Sequence, residues 1–414
     1  MKLLTKKYLI LLAIFELVFV ACNTKTNNTS QWRGPDRQGI YYETDLLKTW
    51  PENGPDLIWS FEVLGAGHSS VGIGIDRVFI NGMPDTLGVL YSFDLDGNLL
   101  WEKVYGTEWH ESYTGSRSTP IEVDDVVYLE SGVGVIYCFD AFSGDIIWEV
   151  DLINKFDAIN IKWGITESLL IDGDKLICTP GGEDFNVVAL NRFNGETIWT
   201  SHGFKEQSAY CSPVLVEHNN TRLVVTMTAT SVLGIDADTG ELYWREEQLQ
   251  GNKIHANTPV YSNGVIYFSS SSAKQNSGLL ALKLSDDGKS VKQLWRNEKF
   301  RNLMGGIVVQ NGFIYGGQYK EKEWYSINIS SGEETLISDN FNSGVIVFAD
   351  SLFYCYSDKG QIALVDIGPN KFDIKSLFDV PLGTDQHWSH PIINNKRMYV
   401  RHGNALIVYN ISSK

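Results

Sequence analysis

An all-β fold, an eight-bladed propeller of four-stranded blades, is predicted by three observations. A hairpin ending in tryptophan recurs along the chain, a small polar marker recurs eight times between those endings, and the units so defined are about 49 residues long. Self-similarity at this period is the signature of stacked four-stranded units.

The ending is best seen in Asp236-Ala237-Asp238-Thr239-Gly240-Glu241-Leu242-Tyr243-Trp244. Gly97 and Trp101, Gly144 and Trp148, and Gly195 and Trp199 keep the same four-residue offset, and apolar runs at 89–93, 135–139, 187–190 and 232–235 precede the four copies. Each copy is strand, tight turn, strand: Asp or Asn opens the turn and Gly takes the left-handed backbone that a side chain resists. A fifth copy runs through Gly288 to Trp295 with a longer turn, a sixth through Gly332 to Leu336 with Leu replacing Trp, and a seventh is reduced to 361–366.

The markers are Ser69-Ser70-Val71, Ser118-Thr119-Pro120, Glu167-Ser168-Leu169, Cys211-Ser212-Pro213, Asn257-Thr258-Pro259, Gly305-Gly306-Ile307, Ser343-Gly344-Val345 and Ser389-His390-Pro391. Each opens a strand that has a hairpin partner, such as 125–129 or 175–178. The eighth unit supplies three strands, at 391–393, 397–400 and 405–409, whereas 57–61 is a strand with a Trp and no hairpin of its own. An N-terminal strand completing the last blade closes the ring and removes an exposed edge. One closed domain therefore replaces the two or three that 414 residues suggest.

Composition agrees. Hydrophobic residues make up 43% and charged residues 20%, enough for a large core, and 12 Trp, 19 Tyr and 19 Phe favour strands. The net charge of −16 argues against nucleic acid or anionic lipid as a surface partner, because phosphate binding needs clustered cations.

The chain begins with Lys2, Lys6 and Lys7, an apolar stretch from 8 to 21, and Cys22. This is a signal-peptide pattern, too short for a membrane span. Phe19-Val20-Ala21-Cys22 resembles the bacterial lipobox, which implies cleavage before Cys22, lipidation of Cys22 and a membrane anchor. The expected organisation is a signal peptide at 1–21, a polar tether at 22–30 and the propeller at 31–414. Cys138, Cys178, Cys211 and Cys355 fall on separate strands without metal-site or redox spacing and are expected to be buried free thiols.

The ending at 236–244 resembles the repeat of pyrroloquinoline-quinone (PQQ)-type quinoprotein propellers; WD40 repeats fit worse, since no Trp-Asp ending occurs. Gln31-Trp32-Arg33-Gly34-Pro35-Asp36-Arg37-Gln38-Gly39 is similar to the opening of PQQ-binding-like repeat proteins of exported bacterial proteomes, as are Trp163-Gly164, 173–182, 210–213 and 388–401. The resemblance spans 31–411. It implies three possible functions. One is a cofactor-free scaffold, as in the lipoprotein subunit of the outer-membrane protein assembly machine. The second is a glycan- or small-ligand-binding propeller. The third is a PQQ/Ca²⁺-dependent alcohol or sugar dehydrogenase, with quinone stacked on Trp and calcium held by Glu, Asn and Asp. Those enzymes typically carry adjacent cysteines or a haem motif, and neither occurs here. The preferred reading is a monomeric, non-catalytic scaffold or binding module of the cell envelope, at the outer membrane and facing the periplasm or the surface, with envelope proteins or glycan as partners.

A site in a propeller collects where the inner strands enter the channel. Columns around the markers give His68, Arg117, Glu167, Tyr210, Asn257, Trp388 and His390, with Trp109, Trp163 and Arg301 on the same connections. Arg117 is suited to clamp an anion, Glu167 to bind a metal or act as a base, and Trp163, Trp109 or Trp388 to stack a ring. Ser, Thr and Asn in these columns are expected to satisfy backbone groups between blades, and Arg117 with Glu167 to form a structural ion pair unless either serves a ligand. His387 and His390 are not expected to form a metal pair. Trp59, Trp101, Trp148, Trp199, Trp244 and Trp295 are assigned to packing between blades. No Gly-x-Ser-x-Gly nucleophile occurs.

Overall fold

The computed structural model describes residues 31–248, 254–270 and 277–413. The expected signal, tether and Cys22 lie outside them. Eight antiparallel sheets of four strands follow one another around a ring, with one short helix, Leu152–Phe156, among the described residues. Blade one consists of Gly72–Ile73, Arg77–Gly82, Leu87–Asp94 and Leu99–Thr107. Blades two to seven span 121–151, 170–202, 214–247, 260–297, 308–338 and 344–379.

Blade eight takes Ile392–Asn394, Arg397–His402 and Ala405–Asn410 from the C-terminal end and Asp56–Phe61 as its outer strand. That strand runs antiparallel to Ala405–Asn410, with Leu57 opposite Tyr409 and Ser60 opposite Ile407. The ring is closed by the two ends of one chain, as the unpaired 57–61 segment requires.

The core lies between blades. Tyr128, Ile136 and Cys138 of blade two pack on Leu176, Cys178, Val188 and Leu190 of blade three, and the same pattern repeats around the ring. Third strands such as Val135–Asp140 are buried on both faces because each is covered by a neighbouring blade, whereas outer strands such as Ile146–Asp151 leave several side chains in solvent.

The recurrent tryptophans tie each blade to the next. Trp101, Trp148, Trp199, Trp244 and Trp295 donate from Nε1 to carbonyls of Ala141, Arg192, Ala237, Gly288 and Ile329 at 2.9–3.2 Å. The turn glycine beneath the indole is doubly constrained. Gly144 has φ +73°, and a Cβ there would lie 2.7 Å from the Trp101 ring. Glycine is thus required both by the turn and by the neighbouring blade.

A second set of ties surrounds the channel. The Ser70 amide donates to Thr119 Oγ1, the Thr119 amide to Ser168 Oγ and the Ser168 amide to Ser212 Oγ, at 2.9–3.1 Å. Ser70 Oγ donates to the His390 carbonyl at 2.8 Å, joining blades one and eight. The marker hydroxyls thus satisfy backbone groups where the inner strands enter.

Residues 31–41 fill the channel itself. Arg33 donates to the Ile307 carbonyl of blade six at 2.8 Å, and Arg37 to the Leu169 and Ser168 carbonyls of blade three. Both guanidinium groups are buried. Ile40–Tyr41 lies parallel beside Gly344–Ala349, the innermost strand of blade seven. The segment read as a family opening is physically a plug, pinned from nearly opposite sides of the ring.

Candidate functional site

Above the plug lies a cavity of about 210 Å³. Its wall follows a parity rule. Residues one and three positions before the third marker residue face the cavity: Ser70 and His68, Thr119 and Arg117, Ser168 and Thr166, Ser212 and Tyr210, His390 and Trp388. Inner segments enter extended, so alternate side chains point to the channel and the ones between point into the blade.

Of the ten sequence candidates, His68, Arg117, Trp163, Tyr210, Trp388 and His390 line this cavity. Four lie off it. Glu167 and Asn257 sit two positions before the third marker residue and face the other way. Both Glu167 oxygens accept from the Thr179 amide at 2.9–3.0 Å, and Asn257 bridges the Asn302 carbonyl and the Gly306 amide at 2.8 and 2.9 Å. Trp109 braces the 109–117 loop from behind, its Nε1 donating to the Ser112 carbonyl at 3.0 Å. Arg301 is exposed, and its backbone pairs with Gln318 and Tyr319.

Trp32, Tyr113, Ile254, Ala256, Leu303, Met304 and Tyr319 complete the wall and are not among the sequence candidates. Trp32 stands in the quoted opening motif, so a signal existed, but its placement depends on the plug. Ala256 and Met304 stand three positions before Pro259 and Ile307 and follow the parity rule, whereas Tyr113, Ile254, Leu303 and Tyr319 lie on irregular connections that carry no period. A second cavity of about 290 Å³ adjoins the first over blades six to eight, sharing Tyr113, Tyr319 and Trp388. His387 faces that one, accepting or donating at Nδ1 with the Tyr356 hydroxyl at 2.6 Å and stacking on His402, while His390 faces the first.

Two aromatic walls shape the main cavity. Trp388 packs against His68 and Tyr113 with ring centroids 5.1 and 5.0 Å apart, and Trp163 against Tyr210 at 6.0 Å. Trp32 meets His390 edge to face at 5.2 Å. Arg117 donates to the Ser112 and Tyr113 carbonyls; its partners are these neutral oxygens and not Glu167, whose cationic neighbour is Arg37. Burial pulls the Arg117 guanidinium down to about 10, which leaves it charged at neutral pH. Burial, reinforced by Arg117 and Arg401, holds His68 at about 3, so its imidazole is neutral. Burial likewise keeps His390 well below the usual range.

The carboxylates lie behind the wall. Glu108 accepts from the Tyr105 hydroxyl at 2.7 Å and the Trp109 amide at 2.9 Å. Glu130 and Glu167 are buried nearby, and burial pushes all three upward, with Glu130 raised further by the other two. None faces the cavity. A calcium-held quinone needs carboxylate ligands at the ring-binding surface, and the described residues contain no group of three His, Cys, Asp or Glu placed to hold a metal ion. The wall does not fit that cofactor.

A family model described as outer membrane protein assembly factor BamB matches residues 86–338. BamB of Moranella endobia is 26% identical over 347 residues, covering 73% of this chain and 78% of that protein. Among solved structures, BamB from Moraxella catarrhalis superposes with a TM-score of 0.61 at 13% identity, covering 87% of this chain and 98% of that one. Quinohemoprotein alcohol dehydrogenase from Comamonas testosteroni superposes with a TM-score of 0.66 at 10% identity, covering 95% and 82%. At these identities the structural likeness shows a shared fold.

Proposed function

This chain belongs to the PQQ-like propeller family described as outer membrane protein assembly factor BamB, and from that premise we propose that it is a non-catalytic scaffold of the bacterial cell envelope. It acts as a monomeric propeller on the periplasmic side of the outer membrane, anchored through a lipid on Cys22, with proteins of the assembly machinery as partners. One observation carries the reading: the family match runs from blade one to the end of blade six. The absence of carboxylates from the cavity wall supports it, because it removes the ligand set that a calcium-dependent quinoprotein uses.

The test is isolation of the tagged full chain from envelopes. Co-isolation of outer-membrane assembly proteins in stoichiometric amounts is expected, together with release into the soluble fraction on Cys22→Ser and an unchanged circular dichroism spectrum. Retention of the variant in membranes overturns the anchor. Stoichiometric uptake of PQQ with Ca²⁺, followed by dye reduction with alcohols or sugars, overturns the non-catalytic assignment.

A further inference from the structure

Residues 31–41 thread the ring from one face to the other. Trp32 lies in the cavity at the face where the inner strands begin. Arg33 and Arg37 bond the Ile307 and Leu169 carbonyls, which immediately precede the inner strands of blades six and three. Ile40–Tyr41 pairs with Phe348 and Ala349, the last residues of the inner strand of blade seven. The pairing is parallel, so the segment descends the axis in the direction of the inner strands. It leaves at the opposite face, among the turns between first and second strands. There Glu43 accepts from the Asn395 and Lys396 amides, and Asp350 from the Leu46 amide. The chain N-terminal to Gln31 is therefore joined to the ring at the cavity mouth.

Covalent geometry limits how far a membrane anchor can lie from that mouth. The nine residues 22–30 reach ~30 Å at most, even fully extended. The plug closes the channel to them, so a path to the turn face must pass over a blade. That path crosses three strand spacings, ~14 Å, and descends an outer strand such as Ile146–Asp151, ~20 Å for its six residues. With the channel radius and the connecting loops added, the path exceeds the tether. Charge acts in the same direction. Acids dominate the exposed turn face, as in Asp124-Asp125 and Asp286-Asp287, whereas Lys155, Lys162, Lys205 and Lys320 are interspersed with acids at the cavity face. Anionic headgroups repel the turn face more strongly.

We propose that the cavity face is the membrane-facing surface of this protein, with a lipid bilayer as its partner, and that the turn face is held away in the aqueous compartment. The cavity then opens toward the lipid headgroups. This orientation rests on the lipid anchor assigned above to Cys22.

The full lipoprotein, with Ile159→Cys at the cavity face or Ile75→Cys in a turn of the opposite face, is labelled with a coumarin maleimide. Both positions are exposed, and the four native thiols of the body are buried. Each variant is reconstituted in vesicles of phosphatidylethanolamine and phosphatidylglycerol that carry fluorescein-headgroup lipid, and energy transfer is read after flotation. Transfer from position 159 is expected to exceed that from position 75 by about twofold or more, given the ~20 Å height of a blade. Lengthening the tether after Ser30 by about twenty Gly and Ser residues frees the ring and should abolish the difference. Circular dichroism reports that each variant is folded. Equal or reversed transfer from the two positions overturns the orientation and leaves the anchor standing. A full difference that persists with the long tether overturns the tether as its cause. Failure of the unlabelled lipoprotein to float, with a free Cys22 thiol by mass spectrometry, overturns the anchor and the orientation with it.

Discussion

Trp59 donates its indole Nε1 to the Leu95 carbonyl at 3.2 Å, so the strand that closes blade eight is also latched to blade one. The indole lies on Gly97, where φ is +89° and a Cβ would come within 2.5 Å of the ring. Two residues 38 positions apart in sequence complete the same turn-and-indole contact that joins consecutive blades elsewhere.

Trp59→Ala is expected to destabilise the ring by about 2–4 kcal/mol, near the lower part of the range for removing a large aromatic, because the indole is half-buried. Gly97→Val adds strain from the positive φ to displacement of the indole and costs about 2 kcal/mol or more. Leu336→Ala, in blade six where the indole is missing, costs about 1 kcal/mol. Thermal denaturation followed by near-ultraviolet circular dichroism measures all three, and equal effects at Trp59 and Leu336 would refute the latch.

The plug is held by buried guanidinium groups, so its loss is local. Arg37→Met leaves the Leu169 and Ser168 carbonyls unpaired at an expected cost of about 1–3 kcal/mol. Limited proteolysis with mass mapping should show new cleavage between residues 31 and 41 while the ring stays resistant. Protection equal to wild type would show that Arg33 and Tyr41 suffice.

Glu130 and Glu167 are raised in the folded state by burial, above the unfolded value of about 4.3. The native state therefore binds more protons than the unfolded state above that pH. Their stabilising contribution is complete below it and is lost as pH rises toward and through the folded pKa. Wild type should lose melting temperature between pH 5 and pH 9 relative to Glu130→Gln, a neutral isostere of the group whose Oε2 has no hydrogen-bond partner. Parallel melting curves across that range would count against the raised pair.

Cys138, Cys178, Cys211 and Cys355 are buried free thiols, and burial pushes Cys138 and Cys211 up to about 12. Thiolate is the reactive form, so an Ellman assay on the native protein should leave all four unmodified over minutes, and guanidinium should expose them. Fast modification of any one in the native state would place it at the surface.

The repeat was legible because its parts are local. A Gly four residues before a Trp records a turn and an inter-blade contact within one short stretch, and the closing strand at 57–61 was identified by lacking a hairpin partner. The site was legible by column but not by parity. His68, Arg117, Tyr210, Trp388 and His390 share one side of the entering strands; Glu167 and Asn257 occupy the same columns one residue out of phase and turn into the blades. Counting alternate positions from the marker distinguishes the two sets. Tyr113, Leu303 and Tyr319 offered no comparable signal, since loops fold by contacts made elsewhere.

The sequence by itself determined the number of blades, the tryptophan ties and the closure of the ring by its own N-terminal strand, all of which follow from spacing and residue type, while the free state of the four cysteines in the body was decided by the structure. The tertiary structure decided that residues 31–41 enter the channel, that Arg33 and Arg37 are spent on holding them there, and that Trp32 becomes part of a cavity wall. The reason is physical. A hairpin is specified by residues within a few positions of one another, whereas the plug exists because carbonyls of Ile307 and Leu169, far apart in the chain, come to face the same axis only after all eight blades have closed.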